Sequence, residues 1–234
     1  MTLAEDGYFL IPAVFDAATI RSLIDACGDA LAAHAGDPAI LADATGAVSG
    51  ARDLFRLWPG AVDLARPLRD VLLAELGPGA GVVRGLYFDK PPGRGWALPW
   101  HKDYTVAVRA HGPLGRFRKP TTKAGIPHLE APTDLLARML TARVHLDDMT
   151  DENGPLRVVP GSHRFDRTAD DEPRPPAVVR CRAGDVLLMR PLLTHASGHA
   201  DPGTAMHRRI VHLECAPAGE LGEGYEWREF VPLM

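Results

Sequence analysis

Residues 82–88, VVRGLYF, mark the point at which the character of this sequence changes. From here on, short runs rich in β-branched and aromatic residues alternate with glycine and proline. The runs are WHKDYTVAV (100–108), LTARVHL (140–146), PLRVVP (155–160), AVVRC (177–181), DVLLMR (185–190) and RRIVHLEC (208–215). Many short strands separated by turns predict a mainly β fold, a sandwich or barrel, and not a parallel α/β sheet.

The sequence before residue 82 has helical periodicity. GYFLIPAVF (7–15) predicts a short strand that ends in a turn, and Asp16 then caps a helix. The apolar residues of this helix recur at helical spacing: Ile20, Leu23, Ile24, Cys27 and Leu31. A second helix is predicted from Pro67 to Gly77. We therefore expect one domain of 234 residues, with helices over about 1–80 and a β core over about 81–217.

Composition narrows the class of partner. Apolar residues make up 46% of the chain and the formal net charge is −4, which argues against nucleic acid or an anionic membrane as the main partner. Three cysteines without close spacing fit a reducing compartment better than a disulfide framework. The N-terminus is acidic, and no apolar run approaches the ~20 residues of a membrane helix. These features predict a soluble, cytoplasmic, single-domain protein.

Two connections are long enough to carry function. The first, 109–132, has no acidic residue between Asp103 and Glu130. It contains five basic residues: Arg109, Arg116, Arg118, Lys119 and Lys123. It is either a binding loop for an anionic substrate or a solvated excursion. The second, 163–176, contains DDEPRPP, and solvation explains it well enough.

The spacing His-x-Asp occurs three times, at 101–103, 145–147 and 199–201. In a strand, residues i and i+2 project from one face, so this spacing aims two metal ligands at one point. The third pair lies in a glycine- and proline-flanked turn. The second shares its face with Arg143, a cation, which favours a structural role. The first shares its face with Thr105 and Ala107, and it is the best candidate for a metal site.

A third ligand follows in GDVLLMRPLLTHASGH (184–199), a strand that leads to His195. Two histidines and one carboxylate on one face of an octahedral metal are the ligand set of non-haem Fe(II) oxygenases. Such a site needs a chelating co-substrate, for which 2-oxoglutarate is suited, and an arginine for its far carboxylate. The strand that opens with Arg208 and Arg209 supplies candidates for that arginine.

Five motifs in this order resemble the phytanoyl-CoA dioxygenase family. They are FDK (88–90), WHKD (100–103), HLDD…NGPLRVVPGSH (145–163), PLLTHASG (191–198) and HRRIVHLE (207–214), and GYFLIPAVF is similar too. The resemblance runs over nearly the whole chain. It implies a double-stranded β-helix (jelly-roll, cupin-like) core with the N-terminal helices packed outside, Fe(II), 2-oxoglutarate and O₂.

Residue by residue, the resemblance implies iron on His101, Asp103 and His195 and the 5-carboxylate of 2-oxoglutarate on Arg208. Ser197 matches a position that often touches the co-substrate. The gap from His195 to Arg208 is about two residues longer than usual, which leaves Arg209 as a rival, although strand parity favours Arg208. Related halogenases carry a small residue in place of Asp103, so its carboxylate indicates hydroxylation or another oxidation.

The basic residues Arg84, Lys90 and Lys123 lie close to the predicted mouth, where solvation is the default, and only Lys123 is retained as a candidate contact for an anionic substrate. Two alternatives stay open. One is a cupin-type metalloenzyme that does not use 2-oxoglutarate, and the other is a non-catalytic small-molecule binding protein. Neither requires an arginine anchor beside the metal ligands.

Overall fold

The computed structural model of the chain describes residues 2–93, 96–165 and 174–233. The strands are β1 (Tyr8–Ile11), β2 (Ile40–Ala42), β3 (Val48–Ala51), β4 (Gly81–Phe88), β5 (Leu98–His101), β6 (Thr105–Ala107), β7 (Arg118–Lys123), β8 (Ile126–Glu130), β9 (Leu140–His145), β10 (Leu156–Val158), β11 (Ala177–Val178), β12 (Val186–Met189), β13 (His195–Ser197), β14 (Ile210–Ala216), β15 (Glu220–Gly222), β16 (Tyr225–Glu226) and β17 (Val231–Pro232). The helices are α1 (Leu3–Asp6), α2 (Ala17–Ala33), α3 (Leu54–Leu57), α4 (Arg69–Leu76) and α5 (Thr133–Leu136), with 3-10 segments at Pro59–Leu68 and Ser162–Arg164.

Two antiparallel sheets form the core of the described chain. The larger has the strand order β1-β12-β9-β14-β4-β3-β2, with β17 also paired to β4, and the smaller has the order β11-β10-β13-β5. This confirms the predicted mainly β, jelly-roll architecture. The N-terminal region adds strands as well as helices, because β1 pairs with β12 and β3 pairs with β4.

The N-terminal helices cover one face of the larger sheet. Asp16 caps α2 as expected, since its side chain accepts a hydrogen bond from the backbone N–H of Thr19 at 2.7 Å. The second predicted helix ends at Gly77, but its α-helical part begins at Arg69 and Pro67 lies in the preceding 3-10 segment. Helical and sheet residues share one apolar cluster, in which Leu54, Leu68 and Leu72 lie with Leu140, Val144 and Leu213.

The opposite face of the larger sheet is unusually polar for a protein interior. Its buried side chains include Arg84, Arg143, His145, His212 and Glu214. They project toward the smaller sheet, which contributes His101 from β5 and His195 from β13, directly opposite each other in register. The space between the two sheets is therefore a polar chamber, the natural place for a ligand site.

The predicted strand 100–108 is divided in two. Lys102–Tyr104 belongs to neither strand, because the chain leaves the smaller sheet after β5 and joins a separate three-stranded sheet with the order β6-β8-β7. Backbone hydrogen bonds to other segments hold this crossing, from Asp103 N–H to Pro191 O at 2.8 Å and from Ala131 N–H to Tyr104 O at 2.9 Å. His101 and Asp103 thus converge across a break between two strands, and not within one continuous strand as the spacing argument assumed.

The long connections differ in what they form. Residues 109–132 contain β7 and β8, which make a hairpin at the chamber's rim. Most of the acidic connection 163–176 lies outside the described residues, because 166–173 are not among them. No helix in the described ranges is both long and apolar enough to cross a membrane.

Candidate functional site

His101, Asp103 and His195 lie together in the structure. One ligand atom from each can be chosen so that all three lie within 4.8 Å of one another, and no other trio of His, Cys, Asp or Glu in the described chain meets that criterion. Asp103 Oδ1 lies 3.8 Å from His101 Nε2, and Asp103 Oδ2 lies 3.7 Å from His195 Nε2. The first of the three His-x-Asp pairs is therefore the one that converges with a third ligand.

Both imidazoles are oriented by backbone carbonyls. The Nδ1–H of His101 donates to Pro99 O at 2.8 Å, and that of His195 donates to Leu193 O at 2.8 Å. A carbonyl oxygen only accepts, so each ring has its proton on Nδ1 and presents the lone pair of Nε2 to the shared point. Burial also lowers the pKa of His195 to about 4, which keeps this ring neutral at physiological pH. The donor set thus fits a divalent metal that accepts nitrogen and oxygen ligands.

The other two His-x-Asp pairs have different surroundings. Asp147 accepts two side-chain hydrogen bonds from Arg209, at 2.9 and 2.7 Å, and is not available to a metal. His145 is fully buried with neither ring nitrogen hydrogen-bonded, and burial lowers its pKa well below the usual range. His199 and Asp201 flank a turn rather than a strand.

Arg208 and Arg209 point in different directions. Arg209 forms the bidentate pair with Asp147, whereas Arg208 is 2% exposed and has no carboxylate within ion-pair distance in the described chain. Its closest polar contact is Met149 Sδ, 4.0 Å from Nη1, and its Nε has no partner. Burial and the nearby Arg143 lower the pKa of Arg208 to about 9. Such a buried, unpaired guanidinium is costly unless an anion binds it.

A small cavity of about 50 Å³ places Arg208 beside His195, one of the three converging residues. Its lining includes Arg208, Ser197, His195 and Arg143. Ser197 Oγ accepts a hydrogen bond from Lys90 Nζ at 3.1 Å, so its position is set by the buried lysine. The geometry therefore groups Arg208 and Ser197 with His195, as the sequence predicts.

The sequence predicts a solvated Lys90, but in the structure this side chain is completely buried. Its Nζ also donates to Gly154 O at 3.4 Å and to Gly198 O, and it lies 4.9 Å from the centroid of Trp96. Burial, Arg208 and Arg143 together lower the pKa of Lys90 to about 7. A lysine in FDKPPG, a few residues before a tryptophan, carries no periodic signal of burial, so the sequence did not reveal this role.

A larger cavity of about 460 Å³ adjoins the smaller one. The two share Phe88, Trp96, Leu98, Arg143 and His195. His101, Asp103, His212 and Glu214 also line the larger cavity, together with Arg52, Arg84 and Lys123, which with Arg143 make four cations. The volume is ordinary for a small-molecule site. Of the sequence candidates for substrate binding, Lys123 does reach this cavity. Trp100, immediately before His101, is 42% exposed and packs on Arg157.

Comparison with known proteins agrees with this architecture. The sequence model of the family described as phytanoyl-CoA dioxygenase (PhyH) matches residues 3–203. Among curated proteins, ectoine dioxygenase from Sphingopyxis alaskensis is 30% identical over 170 residues, which cover 68% of this chain and 47% of that protein. This chain therefore aligns with about half the length of that relative.

Solved structures show the same fold. EctD from S. alaskensis with 2-oxoglutarate and 5-hydroxyectoine superposes with a TM-score of 0.71 at 22% identity, covering 99% of this chain and 86% of that one. SnoK, a non-haem α-ketoglutarate-dependent carbocyclase from nogalamycin biosynthesis, superposes with a TM-score of 0.68 at 20% identity, covering 93% and 82%. The family match spans most of the sequence and includes the three converging residues, and the chain belongs to the phytanoyl-CoA dioxygenase family.

Proposed function

We propose that this protein is an Fe(II)- and 2-oxoglutarate-dependent dioxygenase. It hydroxylates, or otherwise oxidises, a small anionic organic molecule and releases succinate and CO₂. The observation that carries the proposal is the placement of an unpaired, buried Arg208 beside three converging ligand atoms. A cupin enzyme without 2-oxoglutarate and a simple binding protein have no use for that arginine. Family membership and the relatives named above support the same reading.

In this proposal His101, Asp103 and His195 hold the iron. Two imidazoles and one carboxylate would hold Fe(II) and would leave room on it for 2-oxoglutarate and O₂. The bound iron supplies the oxidising chemistry, in which 2-oxoglutarate is decarboxylated and one oxygen atom is transferred to the substrate. The backbone carbonyls of Pro99 and Leu193 keep both imidazoles in the ligating tautomer.

Arg208 binds the 5-carboxylate of 2-oxoglutarate in the small cavity, and Ser197 contributes a hydroxyl beside it. Lys90 positions Ser197 by hydrogen bonding and adds positive charge on the same side. Three buried cations, Lys90, Arg143 and Arg208, have no carboxylate within ion-pair distance in the described chain. A dianionic co-substrate compensates this excess charge. Lys123, in the larger cavity, is the proposed contact for the anionic primary substrate.

The binding step is tested first by melting the protein under argon with Fe(II), with 2-oxoglutarate and with both. Ligand that binds only the native state at a hundredfold excess over Kd stabilises it by about 2.7 kcal/mol. We expect a rise in Tm with both additions together, followed by succinate formation when O₂ is admitted. If 2-oxoglutarate leaves Tm unchanged in the presence of Fe(II), and no succinate forms, the proposal is wrong.

A further inference from the structure

Four cations line the larger cavity, and one of them, Arg143, also lines the smaller one. Of the other three, Arg52 and Lys123 have no ion-pair partner in the described chain. Arg52 follows β3 and is half-buried, and no hydrogen bond or ion pair of its guanidinium is found in the described chain. Lys123 ends β7, and its Nζ donates only to Thr105 Oγ1, at 3.4 Å. We propose that Arg52 and Lys123 together bind a terminal oxyanion, a carboxylate or a phosphate, of the primary substrate. This inference rests on the proposed function, whose substrate class it narrows.

Arg84, another cation of this cavity, is already neutralised. Arg84 Nη1 lies 3.0 Å from Glu214 Oε1, and both side chains are about nine-tenths buried. Glu214 is therefore committed to Arg84, and its charge only partly offsets that of Lys123. The only other carboxylate among the residues that line this cavity is Asp103, which the proposed function assigns to iron. Arg52, Lys123 and the shared Arg143 leave the lining with excess positive charge.

The positive charges of Arg52 and Arg84 act on Lys123. Burial lowers the pKa of Lys123, and the charges of Arg84 and Arg52 lower it further. Burial likewise lowers the pKa of Arg52, with Arg84 adding to the effect. Two like charges held close together in a half-buried cavity repel each other, and an anion between them removes the repulsion. The protein thus bears a cost at this point that only an anionic ligand offsets.

The remaining basic residues of segment 109–132 do not take part. Arg109 pairs with Glu226, Arg116 with Asp134 and Lys119 with Glu130, and none of the three lines the cavity. Arg118, the first residue of β7, is exposed and likewise does not line the cavity. Of the five basic residues of this segment, only Lys123 therefore lines the larger cavity. The second cation, Arg52, comes from the N-terminal region.

The chemistry of the pair defines the ligand class. The planar fork of arginine matches two oxygens of a carboxylate or phosphate, and the lysine adds a point charge with rotatable donors. Arg52 and Lys123 line only the larger cavity, whereas Arg208 lines only the smaller one. The two anion sites are therefore distinct, one for 2-oxoglutarate and one for the substrate.

The test is a titration of the protein saturated with Fe(II) and 2-oxoglutarate under argon, followed by Tm at constant ionic strength. Benzoate represents a carboxylate, phenyl phosphate a phosphate, and benzamide a neutral isostere. We expect a saturable rise in Tm with benzoate or phenyl phosphate and none with benzamide; the stronger of the two identifies the oxyanion. R52Q and K123Q are each expected to raise the Kd of the probe about tenfold or more, while the Tm rise caused by 2-oxoglutarate stays unchanged.

The matched control is R118Q, which removes a cation from the same strand as Lys123 but outside the cavity, and it leaves the Kd of the probe unchanged. The inference is overturned if benzamide raises Tm as much as benzoate, or if neither oxyanion raises Tm more than sodium chloride does. It is also overturned if R52Q, like R118Q, leaves the Kd of the probe unchanged. In each of these cases the response to 2-oxoglutarate remains and the proposed function stands. If 2-oxoglutarate itself gives no response, the proposed function fails, and this inference fails with it.

Discussion

Replacing Arg208 with methionine is expected to stabilise the ligand-free protein and to abolish its response to 2-oxoglutarate. The side chain is 2% exposed and its guanidinium has no carboxylate within ion-pair distance in the described chain. Without a ligand, the charge is desolvated and not compensated. Methionine fills similar space without charge, so the native state loses that penalty together with the anion anchor.

The size of the penalty follows from the pKa. Burial and Arg143 lower the pKa of Arg208 from 12.5 to about 9. At about 1.4 kcal/mol per pKa unit, this corresponds to about 5 kcal/mol. The penalty is complete below pH 9 and declines only as the pH rises from there toward 12.5, so it applies in full at pH 7. Since methionine also packs imperfectly, we expect Arg208→Met to gain about 2 kcal/mol in the free energy of unfolding.

The assay is urea unfolding at pH 7, without ligand and again with Fe(II) and 2-oxoglutarate under argon. Arg209→Met is the matched control, because it removes the bidentate partner of Asp147 and leaves that carboxylate without its guanidinium. This control is expected to lose about 1–3 kcal/mol and to keep its response to 2-oxoglutarate. A destabilised Arg208→Met, or one that 2-oxoglutarate still stabilises, would refute the reasoning.

Two further predictions concern the fold and its charges. Gly85→Ala is expected to cost about 1–3 kcal/mol, because its new Cβ lies 2.5 Å from the Phe55 ring. Gly28→Ala, on an open face of α2, is expected to stabilise by about 0.5–1 kcal/mol; urea unfolding compares the two, and equal effects would contradict this packing. The free energy of unfolding of the ligand-free protein is also expected to rise by about 1 kcal/mol between pH 7 and pH 8. Folded Lys90, with a pKa of about 7, loses its proton there while the unfolded lysine, at 10.5, keeps it. Lys90→Met is expected to lack this gain. If the free energy of unfolding changes equally with pH in the wild type and in the variant, this prediction is wrong.

The sequence predicted the parts of the site that follow from strand order. His101, Asp103 and His195 stand in motifs with a local signature, and Arg208 was favoured over Arg209 by alternation along a strand. In the structure Arg208 lines the small cavity, as does Ile210, while Arg209 faces Asp147. Local periodicity was sufficient to separate these two arginines, whereas His101 and Asp103 converge although the strand is broken between them.

Long-range contacts account for what the sequence did not predict. Lys90 is buried through Ser197 and Gly198, more than 100 residues away, and Arg52 reaches the cavity from the N-terminal region because β3 pairs with β4. At the break between β5 and β6, Asp103 makes a backbone hydrogen bond to Pro191, which is distant in the sequence. None of these contacts leaves a pattern within a window of the sequence, so each requires the folded chain.

The most direct test of the central claim is an anaerobic titration with Fe(II) and 2-oxoglutarate that follows the weak visible charge-transfer band of the chelate. Wild type, His101→Ala and His145→Ala are compared. The proposed site predicts a band in the wild type that His101→Ala abolishes and His145→Ala leaves in place, because only His101 belongs to the converging trio. No band in the wild type, or a band lost with His145→Ala and kept with His101→Ala, would contradict the assignment of the iron site.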